Sequence, residues 1–384
     1  MNQIISAASA LTPDGGLAPY WIRTGGGRVV DAGYGAPPEA VDLHLEQGTL
    51  SPGFVDVHAH GGGGASFTEG TAQARDALEA HRSRGTTTMV ASLVSAPVEL
   101  MLQQTEQLRP LVAAGELAAV HWEGPWLSDG HRGAHDATAL SAPSADAVSA
   151  LLGHPAAELV RCITLAPELP GGLEAIRRLR GAGMVIGVGH TGADCAATRQ
   201  ALLAGATAAT HLFNAMTGLH HREPGAALAL LESPDAFLEL ICDGVHLHPE
   251  MIRYAWRTAE RNGGSQRIVL VSDAMAAAAA RDGDYTLGRL AVQVQDGVAR
   301  VLTADGRPGA IAGSTLTLAE AVRCSIAAAG IAPADALAAA TVNPARMAGL
   351  DDVGQLAPGR RADLVVLNDQ WEVQHVMRRG EWLS

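Results

Sequence analysis

Imidazoles and carboxylates recur directly after short apolar runs of this chain: His58 and His60 in D-V-H-A-H, Glu123 in H-W-E-G-P, His190 in V-G-H-T-G, His211 in A-T-H-L-F-N-A-M and Asp273 in V-L-V-S-D-A. These are the ligand types that hold Zn2+ and related first-row ions, and a catalytic site keeps one position open for water, whose pKa the ion lowers to about 7. Glu123, His190 and His211 therefore read as ligands of a divalent metal. Asp273 reads as the acid/base, because a carboxylate beside a cation stays ionised at neutral pH and can still take a proton from attacking water. Hydrolysis of an unactivated amide needs a nucleophile, a polarised carbonyl and a proton for the leaving amine, and this set supplies all three.

Each residue also has a plainer reading. A single histidine after an apolar run is more often a satisfied core residue, Glu123 could cap a helix, and Asp273 could cap the segment that follows. Recurrence at successive strand ends favours chemistry, since a polar group there needs a partner. His58 and His60 are two apart and share one side of an extended chain, so they could also share an ion. His246 follows another apolar run in I-C-D-G-V-H. In H-H-R-E-P-G, Arg222 is either an anion clamp, offering planar bidentate donors to phosphate or carboxylate, or one half of a surface pair with Glu223.

Such residues must be carried by a scaffold with many strand ends at one face. From about residue 53, short β-rich runs alternate with helical patterns, at 54–57, 86–94, 117–122, 159–165, 184–188, 207–210, 237–242 and 267–272. Eight such runs predict a (β/α)8 barrel, whose catalytic groups sit where strands end at the C-terminal face. Helices are predicted at 71–84, 172–182 and 249–262, the last with Pro near its first turn and Gly after it. Residues 1–52 and 354–384 carry short alternating strands with glycine turns and are assigned together to one small β-sandwich domain, with 53–353 as the barrel. Segment 285–301 is predicted to be an inserted hairpin, and Gly61–Gly64 a turn that lets backbone approach closely beneath the site.

With 47% hydrophobic and 17% charged residues, the chain is a compact enzyme in type, and its net charge of -13 argues against a nucleic-acid footprint. No Walker or G-x-G-x-x-G loop implies a nucleotide cofactor. Cys162, Cys195, Cys242 and Cys324 form no C-x-x-C pair and read as reduced core residues. With no basic leader and no membrane-length apolar stretch, the expectation is a cytoplasmic protein without membrane association.

Across nearly the whole chain, S-P-G-F-V-D-V-H-A-H, H-W-E-G-P-W-L, G-A-H-D, T-L-A-P-E, G-H-T, T-H-L-F-N-A-M, R-E-P-G, D-G-V-H, V-S-D-A-M, A-G-S-T-L-T and G-Q-L-A-P-G-R-R-A-D-L-V-V-L resemble the N-acetylglucosamine-6-phosphate deacetylases of the amidohydrolase superfamily. The resemblance implies hydrolysis of N-acetyl-D-glucosamine 6-phosphate to D-glucosamine 6-phosphate and acetate, in amino-sugar catabolism. By the same resemblance Glu123, His190 and His211 are the primary metal ligands, Asp273 the acid/base, and His246 the group that polarises the acetyl carbonyl. Arg222 binds the 6-phosphate, Asn214 and Ala215 contact the phosphosugar, and Ala134, His135, Ile311, Ala312 and Gly313 are further substrate contacts. Some members lack histidines in the first-strand motif and work with one ion. His58 and His60 here imply one or two ions per chain, with Glu123 bridging in the second case; Zn is the first expectation, with Fe, Mn, Co or Cd as others. His131 and Arg132 stand where relatives often carry lysines, and their role stays open. A homodimer is expected. The competing readings are an amidohydrolase acting on another N-acyl sugar or a cyclic amide, and a non-catalytic scaffold, which would have no need for all these groups.

Overall fold

Near-continuous apolar sequence builds the centre of the molecule. In the computed structural model, which describes residues 3–383, eight parallel strands follow one another round a sheet in chain order: Phe54–Ala59, Thr86–Val94, Ala119–Glu123, Val160–Leu165, Val185–Val188, Ala208–Ala209, Phe237–Leu240 and Ile268–Leu270. Every residue of Thr86–Val94 is buried, as expected of a strand covered on both faces. The ends of the ring meet at a parallel bridge between Ala59 and Ala274. Parallel neighbours require crossovers, and helices supply them. Gly172–Gly181 buries Ala175, Ile176 and Leu179 on one face. Cys195–Ala204 starts where Asp194 accepts the Ala197 N–H at 2.7 Å and stops at Gly205, whose φ of 117° suits glycine. This is the barrel that the alternation of runs predicts.

Strands from both ends of the chain make one further sheet, in the order Glu381–Trp382, Val373–Arg378, Leu364–Leu367, Thr49–Pro52, Gln3–Leu11, Leu17–Gly25 and Arg28–Gly33, with Leu43–Leu45 also paired to Gln3–Leu11. Ile5, Ile22, Val29, Leu50, Leu364, Val366 and Met377 share a core separate from that of the barrel. A bridge between Arg28 and Arg361 brings the far strand back beside the middle of the sheet, so the sheet curls round its own core.

The inserted segment is larger than a hairpin. Gly283–Leu287, Leu290–Gln295, Val298–Leu302 and Pro308–Ile311 form a four-stranded antiparallel sheet, which packs Leu287, Val292, Val294 and Ala299 on Val94, Ala134 and Met275. Its last strand opens on Pro-Gly, and proline is tolerated at the start of an edge strand. The last three barrel strands stop one or two residues before the ends of their apolar runs. The residues after them turn out of the ladder into the site. Among the described residues no helix is long and apolar enough to cross a membrane.

Trp122 is fully buried at the end of the third barrel strand, where its Nε1–H donates to Thr105 Oγ1 at 2.9 Å. Trp122→Ala is expected to cost about 3–5 kcal/mol of stability, read as a lowered denaturant midpoint. An unchanged midpoint would show that this pocket does not hold the strand end.

Candidate metal centre and active site

Each candidate side chain leaves the barrel where its strand ends. Glu123 closes the third strand, His58 lies near the end of the first and His60 just beyond it, and His190, His211 and Asp273 follow the fifth, sixth and eighth. The last three have φ values of 48°, 30° and 48°. Left-handed backbone in non-glycine residues costs of order 1–3 kcal/mol each and persists only where surroundings enforce it. Here the enforcement is visible. Asp273 N–H donates to His58 O at 2.8 Å, Ser314 N–H donates to Asp273 O at 2.7 Å, and Asn214 Nδ2 donates to His211 O at 3.2 Å. The Gly61–Gly64 turn closes on residues next to Asp273, with Gly63 and Gly64 N–H each donating at 2.7 Å to Ala278 O and Ala276 O. It therefore braces the Asp273 segment from the side.

The side chains gather into two groups that could hold an ion: Glu123, His190 and His211; and His58, His60 and Asp273. In the first, Glu123 Oε1 lies 3.2 Å from His190 Nε2 and 3.1 Å from His211 Nε2, and the two nitrogens are 3.0 Å apart. Ligands about 2 Å from a tetrahedral ion lie roughly 3.3 Å from one another, so the three atoms fit. The protonation pattern fits better still. His190 Nδ1 faces His131 O at 2.9 Å, and a carbonyl only accepts, so the proton is on Nδ1. Burial pushes His190 down to about 4 despite its contact with Glu123, leaving Nε2 a bare lone pair. Glu123 opposes it as an acceptor: burial disfavours its charge, yet His58 and His135 hold it well below the usual carboxylate range. A cation among these three atoms would satisfy Glu123 and His190 together.

In the second group, Asp273 Oδ1 is 3.5 Å from His58 Nε2 and 3.3 Å from His60 Nε2, while Glu123 reaches the same nitrogens at 3.4 and 3.1 Å. Glu123 thus stands between the groups, one oxygen toward His190 and His211 and the other toward His60. Burial opposes a charge on His60, but Asp273 and Glu123 outweigh it and raise it to about 9. Burial likewise opposes ionised Asp273, but His58 and His60 bring it down to about 2. The pocket is negative enough to draw in protons or a metal ion.

These groups form one side of a cleft of about 370 Å³, which is also lined by Ala134, His135, Asn214, Ala215, His246, Ile311 and Gly313. His246 Nδ1 donates to Asp243 Oδ2 at 2.6 Å, so Nε2 is the ring nitrogen left for a ligand. Burial opposes the Asp243 charge, yet this hydrogen bond keeps the carboxyl below its ordinary value. His135 Nδ1 accepts the Ser95 N–H at 3.3 Å, which puts its proton on Nε2, 3.3 Å from Glu123 Oε2. It braces Glu123 as well as lining the cleft. Ala312 is buried behind the wall. Arg222 does not line the cleft: it is exposed and hydrogen-bonded to His221 Nε2 at 2.8 Å. Three features escape sequence reasoning: Asp273 as a member of a metal-capable group, His121 beneath His58 with its ring held between Ser92 and Thr164 at 2.9 Å each, and Glu239 behind His58. The available signal for Glu239 is a charge inside an otherwise apolar strand.

A parallel barrel with imidazole and carboxylate groups converging above its strand ends defines the class of metal-dependent hydrolases. The model of the amidohydrolase family matches residues 49–383, and the chain belongs to that family. It is 35% identical to the N-acetylgalactosamine-6-phosphate deacetylase of Escherichia coli O157:H7 over 100% of both chains. It is 36% identical to the N-acetylglucosamine-6-phosphate deacetylase of Homo sapiens over 94% of this chain and 90% of that one. A mutant of the N-acetyl-D-glucosamine-6-phosphate deacetylase from Mycobacterium smegmatis, solved in complex with N-acetyl-D-glucosamine-6-phosphate, is 43% identical and superposes with a TM-score of 0.93 over 99% of each chain.

Titrating metal-stripped protein with Zn2+ is expected to raise its thermal unfolding temperature, since an ion at 100 times its dissociation constant contributes about 2.7 kcal/mol. Glu123→Ala should abolish most of that rise. Zn2+-independent melting of the unaltered chain would contradict a metal centre here.

Proposed function

We propose that the chain removes the acetyl group of N-acetyl-D-glucosamine 6-phosphate, releasing D-glucosamine 6-phosphate and acetate in amino-sugar catabolism. The observation that carries this is a metal-ready cleft on a barrel shared, from end to end of the chain, with deacetylases of 6-phosphorylated N-acetylhexosamines. Glu123, His190 and His211 hold the primary divalent ion, with His58 and His60 available to a second. Zn2+ suits this set, and Fe, Mn, Co or Cd are the other candidates. When bound, the ion supplies Lewis-acid stabilisation of developing negative charge and lowers the pKa of water.

The protein's own groups supply the rest. Asp273 takes a proton from the attacking water and returns it to the departing amine, so one carboxylate serves both halves of the reaction. His246 is fixed by Asp243 with Nε2 toward the acetyl carbonyl, and its doubly protonated form offers an N–H to the oxygen as charge grows. Asn214, Ala215, Ala134, His135, Ile311 and Gly313 shape the sugar subsite. Arg222 is the proposed clamp for the 6-phosphate. Its loop is exposed. Four unpaired cysteines agree with a cytoplasmic setting.

Activity should be compared on N-acetylglucosamine 6-phosphate, N-acetylgalactosamine 6-phosphate and unphosphorylated N-acetylglucosamine, using metal-quantified protein. The first is expected to be the best substrate. Equal rates with the unphosphorylated sugar would contradict a phosphosugar substrate, and preference for the second would move the assignment to the galacto epimer. Arg222→Ala should impair the phosphorylated substrates far more than the free sugar; equal losses would remove Arg222 from phosphate binding.

Asp273→Asn should lower kcat by about 10²–10⁴-fold. Because Asp273 also faces His58 and His60, the comparison requires saturating metal and a measured metal content. Near-normal turnover would exclude Asp273 as the acid/base.

A further inference from the structure

Glu239 sits inside the seventh barrel strand, 3% exposed, between Leu238 and Leu240, which are fully buried. A carboxylate at that depth needs partners. It has two, and both belong to the metal-capable groups: Oε2 lies 3.1 Å from His58 Nδ1 and accepts the His211 N–H at 3.2 Å. One oxygen therefore holds the side chain of a residue in one group and the backbone of a residue in the other, the latter at a φ of 30°.

We propose that Glu239 is a positioning residue that fixes His58 as an Nε2 metal ligand and so creates the second ion position. An imidazole can carry its proton on either nitrogen, and its outer partner decides which. With Glu239 accepting from Nδ1, Nε2 keeps its lone pair and points it between Glu123 Oε1 at 3.4 Å and Asp273 Oδ1 at 3.5 Å. If the proton moved to Nε2, it would be donated to one of those carboxylates and His58 would be lost as a ligand. The carboxylates of Glu123 and Asp273 compete for a proton from the Nε2 side but lie beyond good hydrogen-bond geometry, whereas Glu239 makes the hydrogen bond at Nδ1. His60 and His121 pack edge-on against it, with centroids 5.3 and 4.6 Å away, and neither is a hydrogen-bond partner of Nδ1. The negative charge behind the ring also makes Nε2 a better donor to a cation.

This inference rests on the two-ion reading of the site. The test is equilibrium dialysis of metal-stripped protein against Co2+, with cobalt counted by atomic emission and followed by its visible absorption. The unaltered chain is expected to hold two ions. Glu239→Ala should hold one, and Glu239→Gln, which keeps an acceptor but not the charge, should hold two with the second about 10–100-fold weaker. A purely structural role would lower the unfolding temperature of the metal-free variants and leave cobalt binding intact. Two ions in Glu239→Ala at unaltered affinity would overturn the inference while sparing the two-ion reading. One ion in the unaltered chain would overturn both. Should Glu239→Ala fail to fold, Glu239→Gln decides, and an undiminished second affinity there counts against the proposal.

Discussion

The site depends on one buried carboxylate. Glu123 is 3% exposed and its two oxygens face imidazoles of His58, His60, His135, His190 and His211. A carboxylate taken out of water is tolerated only with compensating charge and hydrogen bonds. Histidines from the first, fifth and sixth strand ends and from the loop after the third supply them. Their ring protons are in turn spoken for: His190 by the His131 carbonyl and His58 by Glu239. The arrangement therefore turns a ring nitrogen of each of these two histidines toward Glu123, a donor set that a cation would complete.

Convergence of this kind strains the backbone. An ideal strand continued past its end would carry His190, His211 and Asp273 along the barrel axis. Left-handed turns at those residues swing the side chains inward instead. The local cost is met by backbone hydrogen bonds from neighbouring strand ends, notably between Asp273, His58 and Ser314. The barrel is suited to this because its sheet is closed and each strand end has neighbours on both sides. A rigid frame can hold several unfavourable turns at once and keep ligand atoms within about 0.5 Å of the positions an ion needs.

Much of this was legible in the sequence, because the barrel writes its function in a regular place. Polar residues after apolar runs located Glu123, His190, His211, Asp273, His58 and His60, and the rhythm of those runs gave the fold. What was hidden shares a physical cause: it depends on which atom faces which across the ring. Asp273 is legible as a base, but its approach to His58 and His60 arises from closure between the first and eighth strands. Glu239 looks like an anomaly within L-E-L until the His58 ring is behind it. The strand at 308–311 lies beyond the hairpin expected at 285–301, because its Pro-Gly start carries no strand signal. Arg222 shows the converse limit, since residue type suggests a clamp but leaves its direction unknown, and it points to solvent.

The overall charge of -13 poses the question of how such a chain would attract an anionic sugar phosphate. Screening answers part of it, because the Debye length is about 8–10 Å at physiological salt and distant surface carboxylates contribute little at the cleft. Local groups then decide. Of the groups that can carry positive charge, His131, His135 and His246 line the cleft, while Glu123 and Asp273 face the imidazole cluster. Arg132 is itself paired with Asp129 at 2.9 Å on the surface, a contact of small net worth that a phosphate could replace. A divalent ion held by the groups in the same cleft would add its charge there. The overall acidic balance is therefore compatible with an anionic ligand at the cleft, because the groups nearest to it decide its local field.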